Sequence, residues 1–382
     1  MSGTASQPTF YEFFAGGGMA RAGLGEGWRC LFANDFDAGK AESYRRNWGD
    51  GDMRMGDIHA LTTDDLPGVP DLAWASFPCQ DLSLAGHGAG LKGPRSGAFW
   101  GFRRIIEELR GESRAPKLLV IENVIGALTS NGGADFSELI TALAALGYAV
   151  GALTIDASHF LPQSRPRLFV LCAREDAVGA VVGEPALPWH SPALTRAVAA
   201  LPAEAQANWR WWRLPAPTAH NMRLVDLIED HPADVKWHTR AETERLVSLM
   251  SQANLRKLDA AKAAGVRMVG TIYRRTRRDD KGAKVQRAEV RFDGVAGCLR
   301  TPGGGSSRQF IMVVDGDEVR TRLLSGREAA RLMGLPDDYI LPARYNDAYH
   351  LLGDGLAVSA VRFLREHLLD ALVRGSPVQA AA

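Results

Sequence analysis

The sequence predicts an α/β fold in which a doubly wound, mostly parallel sheet is joined to a smaller, irregular second domain. Short runs rich in β-branched and aromatic residues alternate with amphipathic stretches over about the first 175 residues, as in βαβ units. A glycine-rich turn follows the first run, and the composition changes after residue 174. Strands are predicted at 9–14, 30–34, 71–77, 117–122, 148–155 and 167–173, and helices at 19–26, 37–47, 98–110 and 134–146.

The composition excludes several classes of protein. With 382 residues, of which 46% are hydrophobic and 23% charged, the chain resembles soluble globular proteins rather than disordered ones. No apolar run reaches the ~18 residues of a membrane-spanning helix, and the first residues carry no export signal, so we expect a cytoplasmic protein without a membrane partner. The four cysteines lie far apart and form no CxxC pair, which indicates neither a metal site nor a disulfide framework.

Proline spacing and charge divide the chain. Closely spaced prolines after Arg174 forbid long regular elements, so we place the sheet domain at 1–178, a second domain at 179–319 and a C-terminal segment at 320–382. The second domain holds a helical segment at 241–264 and a stretch, 267–291, with nine basic and three acidic residues. This charge favours a polyanionic partner, although a solvated hairpin also explains it. Ser325 and Glu328 predict a capping box, and a last helix at 356–373 is expected to pack on the first domain.

The glycine-rich turn and the end of the second strand indicate a nucleotide site. Glycines at 16 and 18 let the backbone turn sharply and let a ligand approach the next helix, although packing alone would also explain them. Asp35 lies where a carboxylate would bind a ribose diol, and Phe36 beside it can stack on an adenine. Arg21 stands where the dinucleotide fingerprint requires its third glycine, which disfavours a nicotinamide-dependent oxidoreductase. The pattern therefore predicts an adenosine ligand without a diphosphate.

Reactive side chains follow neighbouring strands at the edge where open α/β sheets bind ligands. Cys79 follows the strand at 71–77 and is a candidate nucleophile, although burial as a small apolar side chain is the commoner role. Glu122 ends the next strand and is a candidate proton donor or a helix cap. Arg165 and Arg167 lead into the last strand, where in extended geometry both would point to one side. They could hold a base carbonyl, a phosphate or Glu122, or form a surface ion pair.

The ordered motifs FFAGGG, ND, GDI, FPCQDLS, ENV, QSRPR, REAARLMGLPDDY and GDGLAV resemble the motif series of the cytosine-C5 DNA methyltransferases, in that family's usual order. The resemblance covers about residues 1–175 and 320–365 and leaves the basic middle as the variable target-recognition region. It implies a Rossmann-like methyltransferase fold and a bacterial enzyme of the restriction-modification type. S-adenosylmethionine is the implied methyl donor, with S-adenosylhomocysteine as the product.

The resemblance also implies roles for individual residues. Cys79 would attack C6 of a cytosine, and Glu122 would hold and protonate N3. Arg165 and Arg167 would orient the base through O2 and support Glu122. The cytosine must leave the base stack, because its reacting edge is hidden inside a duplex. Cofactor contacts are implied for Phe14, Gly16, Gly18, Asp35, Phe36, Asp57, Ile58, Pro78 and Asp354.

Double-stranded DNA is the implied partner. We expect a monomer that shares its site with a restriction endonuclease without contacting it, or an orphan methylase; the sequence leaves the two open. A glycine-rich stretch after Cys79 resembles the family's closing catalytic loop. Arginine and glutamine can read guanine and adenine, but the sequence does not fix which of them face bases. Candidate DNA contacts are Gln80, Ser83, Arg95, Arg274, Arg275, Arg277, Arg308 and Gln309.

Two positions depart from the family pattern. Glu12 stands where the first motif usually has Asp, and Asp354 stands where the last motif commonly has Asn, either near the cofactor or as a cap of the final helix.

Two alternative functions remain. One is the tRNA-methylating branch of the family, disfavoured because that branch carries Cys-Phe-Thr where this chain has Cys79-Gln80-Asp81. The other is a catalytically silent DNA-binding paralogue.

Overall fold

The computed structural model describes residues 7–77, 97–178, 181–279, 281–301 and 308–374. These residues form two compact units. The first comprises the described residues up to 156, from 166 to 217 and from 360 onward; the second comprises 157–165 and 218–359. The predicted boundary near 178 lies inside the first unit, because the proline-rich segment packs on its sheet. The N–H of Val150 donates to the carbonyl of Asn208 at 2.9 Å, and Nε1 of Trp212 donates to the carbonyl of Leu171 at 3.1 Å.

A seven-stranded sheet forms the centre of the first unit. Its strands are β1 (Thr9–Phe13), β2 (Arg29–Asp35), β3 (Met53–Met55), β4 (Leu72–Ala75), β5 (Leu118–Val124), β6 (Tyr148–Asp156) and β7 (Pro166–Arg174). Their spatial order is β3-β2-β1-β4-β5-β7-β6, and β7 runs antiparallel to both of its neighbours. The predicted mostly parallel α/β sheet is therefore confirmed. β3 was not predicted, because three residues are too few for a periodic signal.

In the described part of the first unit, six helices precede residue 217: α1 (Met19–Leu24), α2 (Ala38–Trp48), α3 (Ala98–Gly111), α4 (Ala134–Ala144), α5 (Pro192–Ala199) and α6 (Ala203–Ala207). α3 and α4 bury apolar stripes in one core with the sheet, through residues such as Phe102 and Leu143. β1 and β4 run parallel at the middle of the sheet, and successive strands are added outward from β1 on one side and from β4 on the other, so the strand order reverses between them. In such sheets the carboxyl ends of the strands at this switch point form a ligand crevice.

The second unit contains a four-stranded antiparallel sheet. Its elements are α7 (Leu224–Leu227), α8 (Arg240–Ser248), α9 (Gln252–Ala263), β8 (Met268–Arg278), β9 (Lys284–Arg291), β10 (Gln309–Asp315), β11 (Glu318–Leu323), α10 (Gly326–Leu332) and α11 (Tyr345–Asp354), with strand order β11-β10-β8-β9. The segment is more regular than expected, because it has no proline between 233 and 301. The predicted helix at 241–264 is two helices. The capping box of Ser325 and Glu328 is confirmed.

The chain returns to the first unit at its C-terminal end. α12 (Val358–Leu364), a π-helical turn (Arg365–Leu369) and α13 (Asp370–Arg374) replace the single predicted helix. Arg365 donates to the carbonyl of Leu24 at 2.9 Å, and Nε1 of Trp28 donates to Asp370 at 2.8 Å, so these last helices pack on the first unit, whereas residues 320–359 of the predicted C-terminal segment belong to the second unit. None of the described helices is long and apolar enough to span a bilayer. The described residues also hold no cluster of three His, Cys, Asp or Glu suited to a metal.

Candidate active site

The glycine-rich turn between β1 and α1 has an unusual backbone. Phe14 (φ 57°), Gly16 (φ 57°) and Gly18 (φ 76°) all adopt left-handed conformations, which phenylalanine reaches only at an energetic cost. A Cβ at Gly18 would lie 2.2 Å from Nε1 of Trp48, which donates to the carbonyl of Gly17 at 3.0 Å. A Cβ at Gly16 would meet no described atom within 4 Å. Glycine at 18 is therefore needed for packing, whereas the space beside Gly16 can admit a ligand.

Asp35 ends β2 and directs its carboxylate to this turn. Its Oδ2 accepts the N–H of Gly16 at 2.8 Å, and its Oδ1 accepts the N–H of Asp37 at 2.8 Å. Burial raises the pKa of Asp35 above its ordinary value. Each oxygen keeps a second lone pair, so the carboxylate can still accept hydrogen bonds from ribose hydroxyls. Phe36 is 75% exposed, which leaves its ring available for stacking.

Asn34, for which no role was predicted from the sequence, fixes the next turn. Its buried amide donates to two carbonyl oxygens, one of them that of Gly56 at 3.0 Å. This turn carries Asp57, whose carboxylate accepts the N–H of His59 at 2.9 Å at the start of a 3-10 turn. Ile58 is 3% exposed, so its side chain packs in the core. The only sequence signal for Asn34 was its place beside Asp35 at a strand end.

Glu12 is a carboxyl group in the interior of β1. It is 2% exposed, and its Oε1 accepts the N–H of Ala20 at 3.2 Å. Its Oε2 has no hydrogen-bond partner among the described residues. Burial raises the pKa of Glu12 to about 8, against the opposing effect of Arg21. Glu12 therefore keeps a proton near neutral pH and can donate it to an acceptor.

A buried ion pair joins β5 and β7. Nε of Arg167 lies 3.0 Å from Oε1 of Glu122, and the two side chains are 14% and 9% exposed. Because β7 is antiparallel to β5, Arg167 at the start of one strand pairs with Val124 at the end of the other. The predicted contact between the two side chains is confirmed, and their catalytic roles stay predictions. The guanidinium fixes the orientation of the carboxylate through a charge-assisted hydrogen bond.

Asn123 lies at the same edge and was also not singled out. Its Nδ2 donates to the carbonyl of Phe77 at 3.3 Å, which ties the end of β5 to the chain directly before Pro78 and Cys79. Asn123 is 3% exposed, so this contact is part of the core. The predicted residues Pro78, Cys79, Gln80, Ser83 and Arg95 lie outside the described residues.

Arg165 differs from the expectation that both arginines orient a base. It is 1% exposed, and its Nη1 donates to the carbonyl of Leu299 at 2.9 Å and to Sγ of Cys298 at 3.4 Å. Its Nη2 donates to the carbonyls of Gly353, at 2.9 Å, and Gly355. These contacts engage the N–H groups of both terminal nitrogens with protein acceptors. Arg165 precedes β7, so strand alternation does not place it beside Arg167. Arg165 holds three backbone segments together, and its role in orienting a base stays a prediction.

Asp354 is the last residue of α11 and does not cap the final helix. Its carboxylate accepts the hydroxyl of Thr301 at 2.5 Å. A Cβ at the neighbouring Gly353 would lie 2.8 Å from the backbone of Arg300, so this approach of two chain segments requires glycine. Asp354 thus links α11 to the segment that ends at 301, and its cofactor contact stays a prediction.

Three predicted DNA contacts lie on β8 and have different surroundings. The guanidinium of Arg274 lies 5.2 Å from the ring centre of Phe310. Glu289 on β9 pairs with Nε of Arg277 at 2.6 Å and with Nε of Arg275 at 3.4 Å. The hydrogen bond from Arg277 lowers the pKa of Glu289. One carboxylate therefore offsets part of the positive charge of two predicted contacts.

The other two described candidates lie at the start of β10. Arg308 donates to Oδ1 of Asn346 at 2.5 Å and stacks over the ring of Tyr345 at 5.8 Å. Gln309 is 0% exposed, and its backbone N–H donates to the hydroxyl of Tyr349 at 3.0 Å. A side chain enclosed in the sheet cannot reach a DNA groove, so the prediction is wrong for Gln309. The sequence pattern showed an extended strand but not which of its residues are covered.

Comparison with known proteins gives consistent matches. A family model described as C-5 cytosine-specific DNA methylase matches residues 8–370. The Type II methyltransferase M.HhaI of Haemophilus parahaemolyticus is 25% identical over 366 residues, which cover 95% of this chain and 94% of that protein. The Type II methyltransferase M1.ScrFI of Lactococcus lactis subsp. cremoris is 24% identical over 372 residues, or 94% of this chain and 78% of that protein.

Solved structures share the fold at lower identity. The Entamoeba histolytica methyltransferase EhMeth aligns with a TM-score of 0.63 and 14% identity, covering 96% of this chain and 99% of its own. The S. pombe Dnmt2 methyltransferase aligns with a TM-score of 0.58 and 18% identity, with the same coverage. At these identities the alignments establish the fold alone.

Proposed function

The chain belongs to the C-5 cytosine-specific DNA methylase family, and from that premise we propose that it methylates C5 of a cytosine within a specific sequence of double-stranded DNA. The observation that carries the proposal is the buried ion pair of Glu122 and Arg167 at the ligand edge of the sheet. A carboxyl group held in this way can, when protonated, give its proton to the ring nitrogen of a base that has been turned out of the duplex. Cys79 follows β4 in the chain, and β4 is the strand next to β5 in the sheet.

S-adenosylmethionine is the proposed cofactor and supplies the methyl group. The residues present fit its adenosine part. Gly16 leaves open space, Asp35 keeps free lone pairs for a ribose diol, and the exposed ring of Phe36 can stack on adenine. Contacts from Phe14, Gly18, Asp57, Ile58, Pro78 and Asp354 belong to the same proposal.

The chemistry follows from the weakness of C5 as a nucleophile. The Cys79 thiolate adds to C6, Glu122 protonates N3, and the resulting enamine makes C5 nucleophilic. After C5 has been methylated, a base in the site removes H5 as a proton, the Cys79–C6 bond breaks to release the thiolate, and N3 returns its proton to Glu122, which restores the aromatic ring. Arg167 keeps the Glu122 carboxylate in place throughout. The covalent bond creates a carbanion equivalent that the free base lacks.

Partners and setting belong to the same proposal. Double-stranded DNA is the substrate, bound in part by the basic segment of the second unit and by Gln80, Ser83 and Arg95. The chain works as a cytoplasmic monomer. It protects the site of a restriction endonuclease without contacting that enzyme, or acts as an orphan methylase.

Bisulfite sequencing of plasmid DNA from cells that express the chain tests this function. Protected cytosines in one recurring sequence are expected for the wild type, and none for Cys79→Ser. Cys30→Ala is the matched control, because burial raises the pKa of Cys30 to about 12 and keeps its thiol protonated; it should protect the same sites. If the plasmid cytosines are unprotected while tRNA from the same cells is methylated, the proposal that DNA is the substrate is contradicted. Protection that survives Cys79→Ser would contradict the mechanism.

A further inference from the structure

A two-stranded ribbon extends beyond the rest of the second sheet. β8 pairs with β10 over residues 268–273, but it pairs with β9 over residues 271–278. Residues 275–278 and 284–287 therefore pair only with each other among the described strands. We call residues 275–287 the ribbon. A projecting pair of strands has the dimensions of an element that enters the major groove of B-form DNA.

The ribbon is strongly basic. Its sequence holds six basic residues and two acidic ones. The carboxylate of Asp279 accepts the N–H of Lys281 at 3.0 Å and of Ala283 at 2.8 Å, so this acid builds the turn at the tip. Among the described residues, Lys281, Lys284 and Arg287 form no salt bridge. The charge of the ribbon is therefore available to a polyanion.

The strand register gives the ribbon two different faces. On one face Arg275 lies opposite Arg287 and Arg277 opposite Val285, and both β8 arginines of this face pair with Glu289. On the other face Thr276 lies opposite Gln286 and Arg278 opposite Lys284. We call this second set, Thr276, Arg278, Lys284 and Gln286, the open face. All four of its residues are exposed, and none is acidic.

Hydrogen bonds within the open face orient its side chains. Nε2 of Gln286 donates one hydrogen to the hydroxyl of Thr276 at 2.8 Å, which leaves a second N–H and the amide oxygen. One donor beside one acceptor is the pattern that pairs with N7 and N6 of adenine. Nη1 of Arg278 donates to the carbonyl of Gly282 at 2.8 Å, and its remaining N–H groups suit O6 and N7 of guanine.

We propose that the open face of the ribbon enters the major groove of the substrate DNA and reads its sequence, with Gln286 directed to an adenine and Arg278 to a guanine. This inference rests on the proposed function. In this arrangement Gln286, rather than the buried Gln309, contacts the edge of a base. Arg277 lies on the opposite face of the ribbon and contacts phosphate only. The deep, narrow major groove of an RNA duplex does not admit such a ribbon, so this reading role requires a DNA duplex.

Selection of bound duplexes from a randomised DNA pool tests the inference. The full chain is incubated with the pool and S-adenosylhomocysteine, and the bound duplexes are sequenced to give the base preference at each position. The same selection is run with Gln286→Ala and Arg278→Ala. Arg277→Gln serves as the opposite-face variant, and Arg256→Gln, an exposed position on α9, serves as the matched control. Thermal melting checks that each variant is folded.

Each variant has a distinct expected result. Gln286→Ala should lose about ten- to hundredfold discrimination at one A·T position, and Arg278→Ala should lose as much at one G·C position, with the other positions unchanged. Arg277→Gln should weaken binding to all sequences alike and reduce the salt slope of log affinity by about 1. Arg256→Gln should change neither the preference nor the slope.

Three results would overturn the inference. In the first, both open-face variants retain the base preference of the wild type. In the second, Arg256→Gln has a relaxed base preference. In the third, RNA duplexes compete for binding to the chain as strongly as DNA duplexes do. Binding selection needs no methyl transfer, so it remains informative if no methylated cytosine is found. A failure of the proposed catalysis and a failure of this reading role are thereby separated.

Discussion

Replacing Glu12 with glutamine tests whether the folded chain keeps an extra proton in the core of its first unit. Burial raises the pKa of Glu12 from 4.5 to about 8. The unfolded chain exposes this carboxyl to water, where it ionises near its ordinary value. Between the two pKa values the folded state binds more protons than the unfolded state. The free energy of unfolding contributed by Glu12 is therefore complete below pH 4.5 and is lost as the pH rises through about 8.

The size of the effect follows from the same pKa change. Each pKa unit corresponds to about 1.36 kcal/mol, so the full loss is on the order of 5 kcal/mol, and relaxation around the carboxylate reduces it. Glutamine keeps an oxygen that can accept the N–H of Ala20 and does not ionise. Between pH 5 and pH 8 the wild type should lose about 2–3.5 kcal/mol relative to Glu12→Gln.

Urea unfolding at pH 5, 6.5 and 8, followed by circular dichroism, measures this difference. Glu26→Gln is the control, because Glu26 is exposed and its replacement should leave the pH dependence of the wild type unchanged. A difference between wild type and Glu12→Gln that stays constant within about 0.5 kcal/mol over the whole range would refute the reasoning.

Arg167→Met should lower the free energy of unfolding by about 3–5 kcal/mol, because it leaves the buried Glu122 carboxylate without its partner. Adding Glu122→Gln to this variant should restore at least half of the lost stability. Urea unfolding of the wild type, the two single variants and the double variant measures this coupling, and losses of stability that simply add would contradict it. Phe36→Ala should keep the unfolding midpoint, because the ring is 75% exposed, and weaken S-adenosylhomocysteine binding about three- to tenfold by calorimetry. Equal affinity would exclude the ring from the site. Gly18→Ala should lower stability by about 1–3 kcal/mol, because its Cβ would lie 2.2 Å from Trp48, and a variant that melts at the wild-type temperature would contradict that clash.

Features set by neighbouring residues in the chain could be predicted from the sequence. The strand positions followed from runs of β-branched and aromatic residues. The capping box of Ser325 and Glu328 followed from a spacing of three residues. The placement of Glu122 and Arg167 at two strand ends also followed from local patterns, whereas their contact, one of several that the sequence left open, depends on the pairing of β5 with β7. In each of these cases the signal lies within a few residues of the feature that it predicts.

Features set by distant chain segments could not be predicted. Arg165 bonds the carbonyls of Leu299 and Gly353, which are 134 and 188 residues away, and no local pattern shows that these segments cover it. Gln309 looked like an exposed reader because glutamine is polar, but the register of β10 places it inside the sheet. The pairing of Glu289 with Arg277 needs the strand register as well. Sequence patterns identified the elements, whereas burial and partners depended on how the elements meet.

The return of the chain to its first unit affects the order in which the protein can fold during synthesis. The hydrogen bond from Trp28 to Asp370 joins residues 342 positions apart. At about 5–20 residues per second, a ribosome needs roughly 17–70 s to make that stretch. The nascent chain therefore carries an indole and the end of α1 without the C-terminal helices that cover them. The second unit, made of 157–165 and 218–359, has all of its residues before the first unit has its last ones, although the first unit begins the chain.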